Sequence, residues 1–138
     1  MKKHFIYRHF TLSEFDSPDK KHSGKNMDPR FMVKLDKARA YAEKTFPNDD
    51  FKFIINSGFR TYEHNRDVYQ VLNRPVITSQ HELGLAADIS AITSRQKFVI
   101  ISSLLWAGFH RIGIGPSFIH VDLGHSGNTS LSKLIWTY

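Results

Sequence analysis

Two short, largely apolar stretches about thirty residues apart each pair imidazole with carboxylate: Ser79-Gln80-His81-Glu82-Leu83-Gly84-Leu85-Ala86-Ala87-Asp88 and Phe118-Ile119-His120-Val121-Asp122. A fold that buries both must find partners for these groups. Asp88, flanked by Ala86, Ala87 and Ile89, is costly to bury as an anion unless a cation sits beside it. Taken singly, each stretch has an ordinary explanation: a lone His in an apolar run is usually a hydrogen-bonded core residue, and a lone Asp usually caps or turns. Together they suggest a common site. Two His and one Asp make a three-ligand zinc set that leaves a fourth position open, the arrangement of a catalytic rather than a structural zinc.

The surrounding pattern says which elements would carry that site. Residues 1–28 read as irregular, with turn formers in Asp16-Ser17-Pro18-Asp19 and Ser23-Gly24-Lys25-Asn26. Asp28-Pro29 is a helix start, and Phe31, Leu35, Ala38 and Ala42 then share one helical face, so a helix is expected over 29–45. The alternating Phe51–Asn56 reads as a strand, Thr61–Leu72 as a helix, and Leu85–Ala91 as a buried strand. Thr93 or Ser94 should cap a helix running through Trp106 and stopped by Gly108. Arg111–Ile114 and Phe118–Leu123 form an expected hairpin, and Ser132–Thr137 an edge strand. Because strand side chains alternate, His120 and Asp122 should share a face with Phe118, while Ile119, Val121 and Leu123 fill the other. His81 falls in the loop before the Asp88 strand, where Gly84 permits a sharp turn. The expected fold is α+β, a small central antiparallel sheet that carries the site and is flanked by helices.

Composition narrows the alternatives. The 138 residues suit one domain, 1–138, with one core. There is no Cys, which removes disulfides, thiolate zinc sites and Cys nucleophiles. The basic start, Met1 to His9, has no uninterrupted apolar core and does not read as a signal peptide. The longest apolar region, Phe98–Phe109, is too short to span a bilayer and contains Ser102 and Ser103, so membrane insertion is not expected. A net charge of +6 is compatible with nucleic acid or with an anionic polymer such as a bacterial cell wall. Lys and Arg are scattered, without a basic and aromatic stacking platform, so nucleic acid is not an expected partner.

The motifs also carry a resemblance. Ser79-x-His81-x-x-Gly84-x-Ala86-x-Asp88 resembles the first zinc motif of the D-alanyl-D-alanine carboxypeptidase family of metallopeptidases, which shares its fold with lysostaphin-type endopeptidases and the hedgehog signalling domain. Ser57-Gly58-Phe59-Arg60-Thr61 is similar to the family's Ser-Gly-Tyr-Arg-Ser segment, followed by Glu63-His64-Asn65. Phe118-Ile119-His120-Val121-Asp122 resembles the last zinc motif of the His-x-Asp branch, and Phe10-Thr11-Leu12-Ser13-Glu14-Phe15 its opening. The likeness runs from about residue 10 to residue 124.

The resemblance implies that His81, Asp88 and His120 hold one zinc ion per chain. It implies that Arg60 binds the substrate and stabilises an oxyanion, and that Ser79 orients substrate or a ligand; the plain alternatives are a salt bridge for Arg60 and a cap for Ser79. The implied reaction is zinc-assisted hydrolysis of amide bonds in peptidoglycan stem peptides, by a monomer that trims a terminal D-alanine or cuts within the stem. Many relatives carry an acid three residues before the last His, where this chain has Ser117. Asp122 is the expected substitute base, with orientation of His120 or pairing with Arg60 as its alternative. Glu63, Glu82 and His110 are weaker candidates. His64 reads as a packing residue, and His4, His9, His22 and His125 lack motif support. A compact peptidase without a recognised signal resembles a phage-type lysin, made in the cytoplasm and acting at the wall. The alternative function is a zinc-containing wall-binding module with little or no cleavage.

Overall fold

The first long helix begins where Asp28 and Pro29 would place it. In the computed structural model, which describes residues 7–49, 52–124 and 133–138, α1 spans Pro29–Thr45. The Asp28 carboxylate accepts from the Arg30 N–H, and Pro29 occupies the first turn. Helix α2 spans Tyr62–Val71, with the Thr61 hydroxyl accepting from His64 N–H. Helix α3 spans Ser94–Trp106, opened by a capping box between Thr93 and Gln96 and followed by Gly108 at φ 97°. No helix among the described residues is long and apolar enough to cross a membrane.

Five strands complete the fold: β1 Ile55–Ser57, β2 Ala86–Ser90, β3 Arg111–Ile114, β4 Phe118–Asp122 and β5 Leu134–Thr137. They lie in one sheet in the order β1-β2-β4-β3-β5. The first four are antiparallel to their neighbours, while β5 runs parallel to β3. The expected antiparallel sheet is therefore a mixed one. The β3–β4 hairpin leaves the outer edge of β3 unpaired, and β5 takes it, Leu134 N–H donating to His110 O and Tyr138 N–H to Ile114 O. Strand β1 is shorter and later than the alternation of 51–56 suggests. Phe53 is buried and Ile54 exposed, as that pattern requires, but only Ile55–Ser57 pairs with β2, across a register shift. The irregular early segment forms two 3₁₀ turns, Leu12–Phe15 and Ser23–Asn26.

Alternation gives the sheet two unlike faces. Ala87, Ile89, Ile112, Ile119 and Val121 are fully buried and join one apolar cluster with Phe31, Met32 and Leu35 of α1 and Val99, Ile100 and Leu104 of α3. Apart from Ala87, each of these side chains contributes about 1.5–3 kcal/mol by leaving water. Slipping β4 by one residue would put His120 into this cluster and Val121 outside it, so core burial also fixes the register of the other face.

Candidate metal centre

His81 is placed by a short, heavily braced turn. It lies in the 3₁₀ turn Gln80–Leu83, where Ser79 and Glu82 form a capping box: the Ser79 hydroxyl accepts from His81 N–H at 3.1 Å and the Glu82 carboxylate from Ser79 N–H at 2.9 Å. Gly84 ends the turn at φ 70°, and a Cβ there would collide with the Asn26 carbonyl, so glycine is required twice over. The His81 ring is buried, and its Nδ1–H donates to Gly58 O at 2.8 Å. That bond leaves Nε2 as the free lone pair.

Asp88 and His120 are cross-strand partners on β2 and β4. His120 Nδ1 lies 2.8 Å from Asp88 Oδ1, and His81 Nε2 lies 3.5 Å from the same oxygen. One ligand atom from each of the three residues falls within 4.8 Å of the other two. Donors about 2.0–2.1 Å from a tetrahedral zinc stand about 3.3 Å apart, so the spacing suits that ion, as does the donor set. The electrostatics agree. Burial opposes ionisation of Asp88, but the hydrogen bonds of His120 and His81 outweigh it and hold the carboxyl below its usual range. Burial also pulls His120 down, and its hydrogen bonds to Asp122 and Asp88 override that and raise it to about 9. The protein alone thus keeps a proton at the point where a metal cation would sit.

Asp122 occupies the other side of the His120 ring. Its Oδ2 accepts from His120 Nε2–H at 2.7 Å, while Oδ1 accepts from Arg111 Nε–H at 2.6 Å and Gly124 N–H at 2.9 Å. The residue is 3% exposed. The shared strand face of His120 and Asp122 follows from alternation. Both carboxylate oxygens are engaged, and the ring of His120 stands between Asp122 and Asp88. The carboxylate fixes the His120 imidazole, with Arg111 and not Arg60 as its cation.

Arg60 follows β1 and is tied to the His81 turn, its N–H donating to His81 O at 3.1 Å. Its guanidinium is held by Asn65 Oδ1 (3.1 Å, from Nη1) and Ser57 Oγ (3.4 Å, from Nη2), while Nε is buried with no hydrogen-bond partner. Burial lowers its pKa, and the negative charge of Asp88 acts against that. Asn65 is itself buried and donates to Glu82 and to Ile77 O. One amide therefore joins the arginine to the capping box that places His81.

The remaining candidates are elsewhere. Ser79 serves as a cap, and Glu82 is engaged by Ser79 and Asn65. Ser117, Glu63 and His110 are exposed. His64 is half-buried, His22 is exposed, and His9 pairs with Asp36 and Glu43. His4 and His125 lie outside the described residues. Sequence reasoning missed the parts played by Asn65 and Arg111. Arg111 could have been found by folding the expected hairpin on paper, which sets it opposite Asp122. Asn65 left no such signal, because its partners come from three separate segments.

A family model described as Peptidase M15 matches residues 8–122 of the chain. No curated protein matches it.

Proposed function

The chain belongs to the peptidase M15 family, and on that premise we propose that it is a zinc enzyme hydrolysing amide bonds in peptidoglycan stem peptides. It would act as a D-alanyl-D-alanine carboxypeptidase or as a cell-wall endopeptidase of the phage-lysin type. The observation that carries this reading is the convergence of His81, Asp88 and His120 on one face of the sheet, beside Arg60, whose backbone is tied to the His81 turn.

Zinc in such a site supplies Lewis-acid polarisation of the amide carbonyl and a water of lowered pKa. The protein's own residues do the rest. His81 and His120 each have one ring nitrogen fixed as a donor, to Gly58 O and Asp122, so with zinc bound the other would give its lone pair to the ion beside Asp88. Arg60 is held by one bond at each of Nη1 and Nη2, and the second hydrogen on those nitrogens is the donor for a carboxylate or carbonyl oxygen of the substrate. Such a donor strengthens as negative charge develops on that oxygen.

Ser117, standing where relatives commonly carry an acid, favours a second reading: a zinc-containing module that binds the wall without cutting it. Metal content and stem-peptide cleavage, measured on wild type and His81→Ala together, separate the two. About one zinc per chain with cleavage, both lost in the variant, is the result the peptidase reading expects. Zinc without cleavage across several stem peptides selects the binding module, and absence of zinc removes both.

A further inference from the structure

A single row of cross-strand neighbours crosses the whole sheet through the metal centre. Ser57 pairs with Asp88, Asp88 with His120, His120 with Gly113, and Gly113 with Trp136. Neighbouring strands are about 4.8 Å apart. At one end of the row Ser57 holds Arg60. At the other, the missing side chain of Gly113 is covered by two aromatic rings: a Cβ there would stand 2.7 Å from Trp136 Nε1 and 2.8 Å from Tyr138 Cε2. Those rings lie over the sheet. Trp136 reaches back to 5.7 Å from the His120 ring, and Tyr138 packs 5.2 Å from Phe118. Arg111, the cation of Asp122, sits 5.4 Å from the Trp136 centroid. Tyr138 remains 62% exposed. Burial and the fields of Asp88 and Asp122 raise its phenol above the usual value, against the hydrogen bond from Trp136, so its hydroxyl feels the metal centre.

We infer that Trp136 and Tyr138 are substrate-binding residues, forming an aromatic wall against which the peptide lies while its amide reaches His81, Asp88 and His120. This inference rests on the peptidase reading and adds two contact residues to it. The cleft has a polarity: a buried arginine on one side, the ligands between, an apolar surface on the other. Arg111 and Asp122 already pair with each other behind the wall, so what it offers the peptide is apolar ring surface. Gly113 is the enabling residue, since any side chain there would lift both rings away from the ligands.

The chain has two tryptophans. Trp106 belongs to α3 and stacks on Tyr41 at 4.4 Å, so Trp106→Phe leaves Trp136 as the only indole. In zinc-loaded Trp106→Phe protein, a stem peptide ending in D-alanyl-D-alanine should shift Trp136 emission saturably on rapid mixing, before turnover. Adding Gly113→Ala should weaken that binding at least about tenfold. In otherwise wild-type protein, Trp136→Ala and Gly113→Ala should each raise KM about tenfold, with kcat within about threefold and zinc content unchanged. Saturable binding or turnover without an emission change overturns the wall, as does an unaltered KM in both variants. If wild type cleaves no stem peptide, the peptidase reading fails by itself. The emission titration then still decides the wall, a response upholding it and no response overturning it.

Discussion

Each imidazole at the centre has its free nitrogen chosen by a hydrogen bond on the far side of the ring, and those bonds can be tested one residue at a time. Asp122→Asn removes the charge that fixes His120. Zinc affinity should fall about 10–100-fold, measured by competition with a chromophoric chelator; a pure general base would cost kcat and leave affinity alone. Arg60→Lys keeps the charge but loses the fork held by Asn65 and Ser57. It should retain zinc and lose about 10²–10³ in kcat/KM on a stem peptide, the scale of one lost oxyanion donor. Gly84→Ala forces φ 70° on a residue with a Cβ and meets the Asn26 carbonyl. A stability loss of about 1–3 kcal/mol by denaturant unfolding is expected, with weaker zinc binding because His81 belongs to the same turn. The three residues that converge, His81, Asp88 and His120, were legible in the sequence because spacing and residue type are enough to suggest them. The contacts of Asp122 were not, since a shared strand face does not say which edge of the ring a carboxylate meets.

At the scale of elements, the segments legible beforehand are those whose signals are local. Asp28, Thr61 and Thr93 begin their helices as caps do, and the β3–β4 hairpin follows from alternation around Gly115-Pro116-Ser117. The early segment was unreadable because long-range bonds hold it. Ser17 Oγ–H donates to Asp19 Oδ1 at 2.6 Å, Thr61 Oγ1–H to Asp19 Oδ2 at 2.6 Å, and Thr61 N–H to Ser17 Oγ at 3.2 Å. This network fastens the first part of the chain to the start of α2, next to Arg60. The Ser17 and Thr61 hydrogen bonds hold the Asp19 carboxyl below the usual carboxylate range. A depressed carboxyl contributes stability above its unfolded pKa and loses it as pH falls through the folded one. Asp19→Asn should therefore lower Tm at pH 7, and its difference from wild type should shrink as pH drops below about 4. A constant difference from pH 7 to pH 2 would show that the charge of Asp19 adds nothing.

For the whole molecule, a metal that binds only the folded chain adds stability by mass action, about 2.7 kcal/mol when free zinc stands at a hundred times its Kd. Wild type should lose Tm on treatment with a strong chelator and recover it when zinc is restored. His81→Ala should melt at one temperature in both conditions, and any chelator response in that variant would place the metal elsewhere. The α+β class was readable as a whole because apolar alternation and helical periodicity recur along the chain. The parallel attachment of β5 was not, since nothing within Leu134–Thr137 tells which edge it joins or in which direction it runs.

The pairing of β2 with β4 also sets an order in time. The chain makes His81 and Asp88 first, then all of α3, and His120 only after that. While the protein is being synthesised, no ligand trio exists until β4 has folded back onto β2, and β4 cannot do so until the core behind it has somewhere to close. Any ion held there would consequently arrive late in the life of each molecule, fastening a sheet that burial of Ala87, Ile89, Ile119 and Val121 has already drawn together.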